Sequence, residues 1–286
     1  MAELVFHPKT KASLDKLSQG NAHAVLLTGD MGSGKQSTAL YLAAKLLDVP
    51  DAKNHPYYMN IAPDGKSIGI EQIRELQKFL QLKTTGSKRI RRIAIIKNAD
   101  SMTTEAQNAL LKMLEEPPAD TVLIMTASQP QKLKQTVHSR AQTVAILPVA
   151  KDIVLSHFKM SFAPDEIAKA YAVSNGQIGL LTAMLEQNTE HVLAKHIIAA
   201  KALYSMPAFE RLAKVDELAK QKDELMGTLY ACKRICVSGL EQAASKDQRE
   251  ATVSWHRQLE LITNAEEHMK FNPNIKLLLT DLFISM

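Results

Sequence analysis

The chain has 286 residues, with 35 Lys and Arg against 30 Asp and Glu, a formal net charge of +5 at pH 7. Apolar residues make up 45% and charged residues 23%, the balance of a globular protein with material for two or three compact units. This charge is too dilute for a dedicated nucleic-acid arm. No run approaches the roughly 18–20 apolar residues of a bilayer span, and residues 1–11 lack a leader peptide's apolar core, so a cytoplasmic location is expected.

Residues 10–20 read as an amphipathic helix ended by Gly20. Residues 24–28 are apolar throughout, as a strand buried on both faces should be. The turn that follows lies within VLLTGDMGSGKQS at 25–37. It holds Gly29, Gly32, Ser33, Gly34 and Lys35 where a phosphate-binding loop needs them. Glycines let successive N–H groups converge on phosphate oxygens, and the helix opening near Lys35 adds the positive end of its dipole. The pattern G-x-x-x-x-G-K-[ST] then requires a hydroxyl to hold Mg²⁺. Gln36 stands there instead, and Ser37 comes one place late, about 100° further around the helix. The candidate phosphate residues are therefore Gly29, Gly32, Ser33, Gly34, Lys35, Gln36 and Ser37. Three readings stay open: a loop that binds a nucleotide, one that holds only phosphate or sulfate, and a relic loop that holds nothing.

The helix continues to about residue 47 and stops at Val49-Pro50-Asp51. Residues 51–69 read as loop with a short strand at 58–61. Ile70, Ile73, Leu76, Phe79 and Leu80 have helical spacing, which predicts a helix over 70–82. A turn at 84–88 leads into the cluster Lys88, Arg89, Arg91 and Arg92, either a solvated flank or a contact for DNA phosphates or an acidic partner. Buried strands follow at 93–96 and 122–126. Between them 103–116 is a helix capped by Thr103 and closed by Pro117-Pro118. A helix near 131–136 and a strand at 143–146 complete an α/β core with a parallel sheet covered on both sides. Beyond about 148 only helical periodicity is found. It covers 152–159, 164–174 and 178–187, a helix opening with Pro207, then 226–244, 249–270 and 275–284. Cys232 and Cys236 share one helical face without a histidine pair nearby. They read as buried thiols, and no metal site is expected.

Four segments in order carry a family likeness: HAVLLTGDMGSGK at 23–35, AQNALLKMLEEPP at 106–118, Ser139-Arg140-Ala141, and NPNIKLLLTDLF at 272–283. Together they resemble the AAA+ subunits of DNA polymerase clamp loaders, most closely those of the bacterial delta-prime type, over nearly the whole length. The departures matter as much as the matches. Active members of that family end a strand in two acidic residues, which hold metal and polarise water. Here the strand ends in Lys97 and Asn98, with Asp100 lying just past it. The small domain of the family places an arginine over the γ-phosphate, and Gly179 takes its place. The zinc cysteines of many relatives would fall near 48–60, where there are none, and the cysteine of the Ser-Arg-Cys motif is Ala141.

The resemblance implies an α/β AAA+ P-loop core over 1–148, a small helical lid over 149–187 and an all-α collar over 188–286 that packs on other subunits. It implies a non-catalytic subunit of the DNA polymerase III clamp loader, not an enzyme by itself, helping to load the sliding clamp on primed DNA during replication. Its partners would be the tau/gamma-type ATPase subunits and the delta subunit, with clamp and DNA met through the assembly and no membrane involved. Arg140 would act in trans on a neighbouring subunit's ATP, as an arginine finger. No cofactor would be required, and ATP or ADP would at most bind without hydrolysis. The alternative is a nucleotide-binding AAA+ switch protein or a weak clamp-loader-type ATPase.

Overall fold

A computed structural model describes residues 4–188 and 190–286. The chain separates into two compact units. The first runs to His157 and takes in Gly176–Gly179; the second comprises Phe158–Asn175 and Leu180–Met286. Most of the expected 149–187 lid thus packs with the 188–286 helices, while its first residues, 149–157, and an internal stretch, 176–179, pack with the core.

The first unit is built as α1 (Pro8–Gln19), β1 (Ala24–Thr28), α2 (Lys35–Leu47), β2 (Tyr58–Ile61), α3 (Ile70–Gln81), β3 (Arg92–Ile96), α4 (Thr104–Glu115), β4 (Thr121–Ala127), α5 (Gln135–His138), β5 (Gln142–Ala145) and α6 (Lys151–Phe158). The strands form one parallel sheet in the order β2-β3-β4-β1-β5. Their apolar runs serve two cores at once, because successive side chains point to opposite faces. Val25, Leu27, Ile93, Ile95, Val122 and Ile124 pack with α1 and α2 on one side. Ala24, Leu26, Ala94, Ile96, Leu123 and Met125 pack with α3 and α4 on the other. Each large side chain so buried contributes roughly 1.5–3 kcal/mol.

Local chemistry sets the helix ends. The Thr103 hydroxyl accepts from Ala106 N at 3.2 Å, the cap the sequence predicted for α4. Asp48 ends α2 in the left-handed region, at φ 55°. The basic cluster is divided: Lys88 and Arg89 stay exposed, Arg91 is half-buried and Arg92 is drawn into the core. Arg92 is only 2% exposed; its guanidinium donates to Leu80 O and Leu82 O and lies 5.6 Å from the Phe79 ring centroid. Lys88 donates to Leu47 O at 3.1 Å and pairs with Asp48 at 3.0 Å. Both cations satisfy carbonyls at helix C-termini, where positive charge is favourable. Arg91 pairs with Asp120 at 3.3 Å, and Arg89 donates to Asn21 Oδ1.

The helix expected at 131–136 is replaced by a 3₁₀ turn, Pro130–Lys132, and the single turn α5. Leu133 and Lys134 between them are extended, with ψ of 142° and 145°. Leu133 buries its side chain in the core, and Lys134 N donates to Gln107 Oε1 at 2.8 Å. Both interactions outweigh local helix propensity. β5 begins one residue earlier than expected, with Gln142 opposite Val25.

The second unit is helical: α7 (Pro164–Ser174), α8 (Ile178–Leu185, whose first two residues pack with the core), α9 (Val192–Ser205), α10 (Ala208–Ala213), α11 (Val215–Lys220), α12 (Lys222–Ser245), α13 (Arg249–His268) and α14 (Ile275–Ser285). Pro207 is the extended cap before α10 rather than its first helical residue. α12 is the central helix, and two glycines let neighbours approach it closely. A methyl group on Gly227 would lie 2.2 Å from His196 Nε2, and one on Gly239 would lie 2.4 Å from Trp255 Cε2. Cys232 and Cys236 are buried and free. Burial pushes the Cys232 thiol up to about 12, and Tyr204 Oη lies 2.8 Å from Cys236 Sγ. Among the described residues no His, Cys, Asp and Glu cluster suits a metal ion, and no helix is long and apolar enough to cross a membrane.

Candidate functional site

The phosphate-type loop leaves the carboxyl end of β1, beside the edge where the parallel order reverses, the usual place for a ligand in such sheets. Gly32 and Gly34 adopt φ of 88° and 86°, and Gly34 caps α2 in the left-handed region. The loop is closed on itself. Lys35 Nζ lies 2.7 Å from Gly29 O, 2.7 Å from Asp30 O and 3.4 Å from Ser33 Oγ. These are as many partners as an ammonium has protons. Burial pulls its pKa down to about 8, opposed by the nearby charges of Asp100 and Asp30. Ser33 is buried, Ser37 is exposed, and Gln36 Oε1 is buried without a partner among the described residues. Thr38 Oγ1 turns back to Gly34 O at 3.0 Å.

Residues 176–179 form a strap over this loop, within the same unit. Gln177 Nε2 donates to Asp30 Oδ2 at 3.1 Å. A methyl group on Gly179 would lie 2.7 Å from Gly34 N and 2.8 Å from Gly32 O. The chain therefore approaches the loop backbone so closely at residue 179 that no side chain fits there without a shift. Gly176 shows the same constraint at φ 73°, with Val149 O 2.5 Å from an added methyl.

The end of β3 carries Lys97 and Asn98, with Asp100 just past it. Lys97 N and Asn98 N serve the sheet edge, donating to Ile61 O at 2.8 Å and Thr126 Oγ1 at 3.0 Å. Asp100 Oδ2 accepts from Ser128 N at 3.1 Å and Gln129 N at 2.7 Å, so it is occupied as a cap on the loop after β4. The residues present do not fit a Mg²⁺–nucleotide centre that performs phosphoryl transfer: no hydroxyl follows Lys35, and no carboxylate ends β3.

Arg140 lies apart from this loop, between α5 and β5. Its guanidinium pairs with Glu115 Oε1 at 2.7 Å and donates to Thr136 O at 3.2 Å and Ser139 Oγ at 3.3 Å. Three further residues shape these places and were not singled out in the sequence: Gln107, Glu115 and Gln177. Gln107 is buried; its Nε2 donates to Met102 O at 3.2 Å and Lys132 O at 3.3 Å, which fixes the segment leading to Arg140. A readable signal existed for it. Gln107 shares helical phase with Leu110 and Leu114, an apolar face where a glutamine needs a partner.

A parallel five-stranded sheet of this order, with a glycine loop after β1 and a helical second unit, defines a P-loop module of the AAA+ class. The family model described as DNA polymerase III, delta subunit, matches residues 7–150, half of the chain, which therefore belongs to that family. Among curated relatives, the DNA polymerase III subunit delta' of Bacillus subtilis (strain 168) is 37% identical over 150 residues, covering 47% of this chain and 44% of the relative. That of Pseudomonas aeruginosa is 35% identical over 170 residues, covering 52% and 50%. The chain thus spans about half the length of the curated relatives it matches. Among solved structures, a DNA polymerase III gamma subunit-related protein from Thermotoga maritima shares the fold, with a TM-score of 0.57 at 17% identity, over 96% of this chain and 97% of the other.

Proposed function

We propose that this chain is a non-catalytic subunit of the DNA polymerase III clamp loader, which acts in the cytoplasm to place the sliding clamp on primed DNA. It assembles with tau/gamma-type ATPase subunits and a delta subunit, and meets clamp and DNA through that assembly. The helices of 188–286 serve as the collar. Arg140 completes a neighbouring subunit's ATP site: a guanidinium is always charged and can grip phosphate oxygens with parallel donors. The chain's own loop needs no cofactor. ATP or ADP, where it binds, displaces Lys35 from the loop carbonyls and is not hydrolysed.

The observation that carries this reading is the acid-free end of β3 beside an Asp100 already committed to Ser128 and Gln129. Phosphoryl transfer requires groups that place metal and water, and this loop has neither. The test is steady-state turnover of ATP by the isolated chain with excess Mg²⁺. No hydrolysis above background is expected, for the wild type or for Gln36→Thr. A turnover abolished by Lys35→Ala would contradict the reading.

A further inference from the structure

Of the three groups bonded to the Arg140 guanidinium among the described residues, two lie on its own turn, Thr136 O and Ser139 Oγ. The third, Glu115 Oε1, comes from another element, at 2.7 Å from Nη2. Glu115 is the last residue of α4, where a carboxylate meets the negative end of the helix dipole. Helix stability therefore does not explain it. Nor does the ion pair itself: the side chains are 34% and 49% exposed, and such surface pairs add little to folding. Yet the carboxylate stands on a rigid post. α4 is anchored in the core through Ala106, Leu110, Met113 and Leu114, and Pro117-Pro118 fix the direction of the chain just beyond it.

Resting on the trans role proposed above for Arg140, we infer that Glu115 is the positioning residue of that arginine. Its carboxylate grips one edge of the guanidinium and fixes the plane of the fork. A guanidinium has five N–H donors. Glu115 and the turn of α5 take three of them, which leaves two for the phosphate oxygens of ATP held by an adjoining subunit. Without the carboxylate the side chain keeps its charge and its local bonds but loses the one restraint from outside its own turn found among the described residues. Displacement of a catalytic group by about 1 Å can cost on the order of 100-fold in rate.

The experiment is steady-state ATPase, stimulated by clamp and primed DNA, of complexes reconstituted with Glu115→Ala, Glu115→Gln, Arg140→Ala and the double variant Glu115→Ala/Arg140→Ala. Assembly is checked by size exclusion and folding by urea unfolding. Glu115→Ala is expected to lower kcat roughly three- to tenfold at unchanged KM for ATP, since several sites fire in the complex and one is misaligned. Glu115→Gln, which keeps an acceptor without the charge, should recover part of the loss. In the Arg140→Ala background Glu115→Ala should cost nothing further. Normal kcat in Glu115→Ala beside an impaired Arg140→Ala overturns the role of Glu115 and leaves that of Arg140 standing. An equal loss in both backgrounds overturns it too, as a structural effect. An unimpaired Arg140→Ala complex removes the trans role itself, and this inference with it.

Discussion

Lys35 sits in a nearly closed place with its ammonium turned onto the loop's own carbonyls. Unfolded, it titrates at its ordinary 10.5; folded, burial brings it to about 8. Between those values the unfolded chain holds more protons, so this residue makes stability rise with pH across that window and adds no slope below it. Lys35→Met should remove that contribution, which urea unfolding across about pH 7 to 10 will measure. A second residue-scale consequence concerns Gly179. Glycine to alanine in a helix interior normally stabilises by about 1 kcal/mol. Here the added methyl would meet Gly34 N at 2.7 Å and Gly32 O at 2.8 Å, so Gly179→Ala should instead destabilise by roughly 1–3 kcal/mol, read as a shift in the urea midpoint. For the same reason Gly179→Arg should not restore an ATPase. The glycines, Lys35 and the missing acids were legible as a motif and its gaps. The closing of the loop by Gln177 and Gly179 was not, because that contact joins residues about 145 positions apart, which no local pattern records.

At the scale of elements, a helix cap and a helix crossing can each be tested. Thr103→Ala removes the acceptor for Ala106 N and should cost about 1 kcal/mol of stability. Gly239→Ala would drive a methyl into the Trp255 ring and should separate α12 from α13, at a cost of about 1–3 kcal/mol. Both are measurable by chemical unfolding. α14 packs Leu279, Leu282 and Phe283 inward, so truncating it would damage the fold along with any interface. Leu277 and Ile284 share a face seven residues apart and are 69% and 65% exposed. Leu277→Ser with Ile284→Ser should therefore weaken assembly with partner subunits while leaving unfolding nearly unchanged, with assembly followed by size exclusion. The strands of the core were readable because fully buried strands are continuous apolar runs. α9 and α11 were not read. α9 mixes apolar residues around much of its circumference and opens on His191, whose side chain accepts from Ala194 N at 3.2 Å, an uncommon cap. The pieces around Pro130 and α5 escaped for another reason: the core contact of Leu133 and the bond from Lys134 N to Gln107 decide them, not propensity.

At the scale of the molecule, the fold keeps a phosphate-type glycine loop without a hydroxyl after Lys35 or a carboxylate at the end of β3, and keeps a partly exposed arginine held by Glu115. In the proposed assembly these facts belong together: the chain supplies a group to a neighbour's site and takes nothing from its own. An arginine supplied in trans is worth roughly 10³–10⁵ in rate in well-studied nucleotide hydrolases, diluted in a complex with several sites. The measurement that bears most directly on this is the clamp- and primed-DNA-stimulated ATPase of two fully assembled complexes, one carrying Lys35→Ala in this chain and the other Arg140→Ala. Turnover should match the wild type with Lys35→Ala and fall clearly with Arg140→Ala. The opposite pattern, a loss with Lys35→Ala and normal turnover with Arg140→Ala, would show that this chain works through its own nucleotide and contradict the reading.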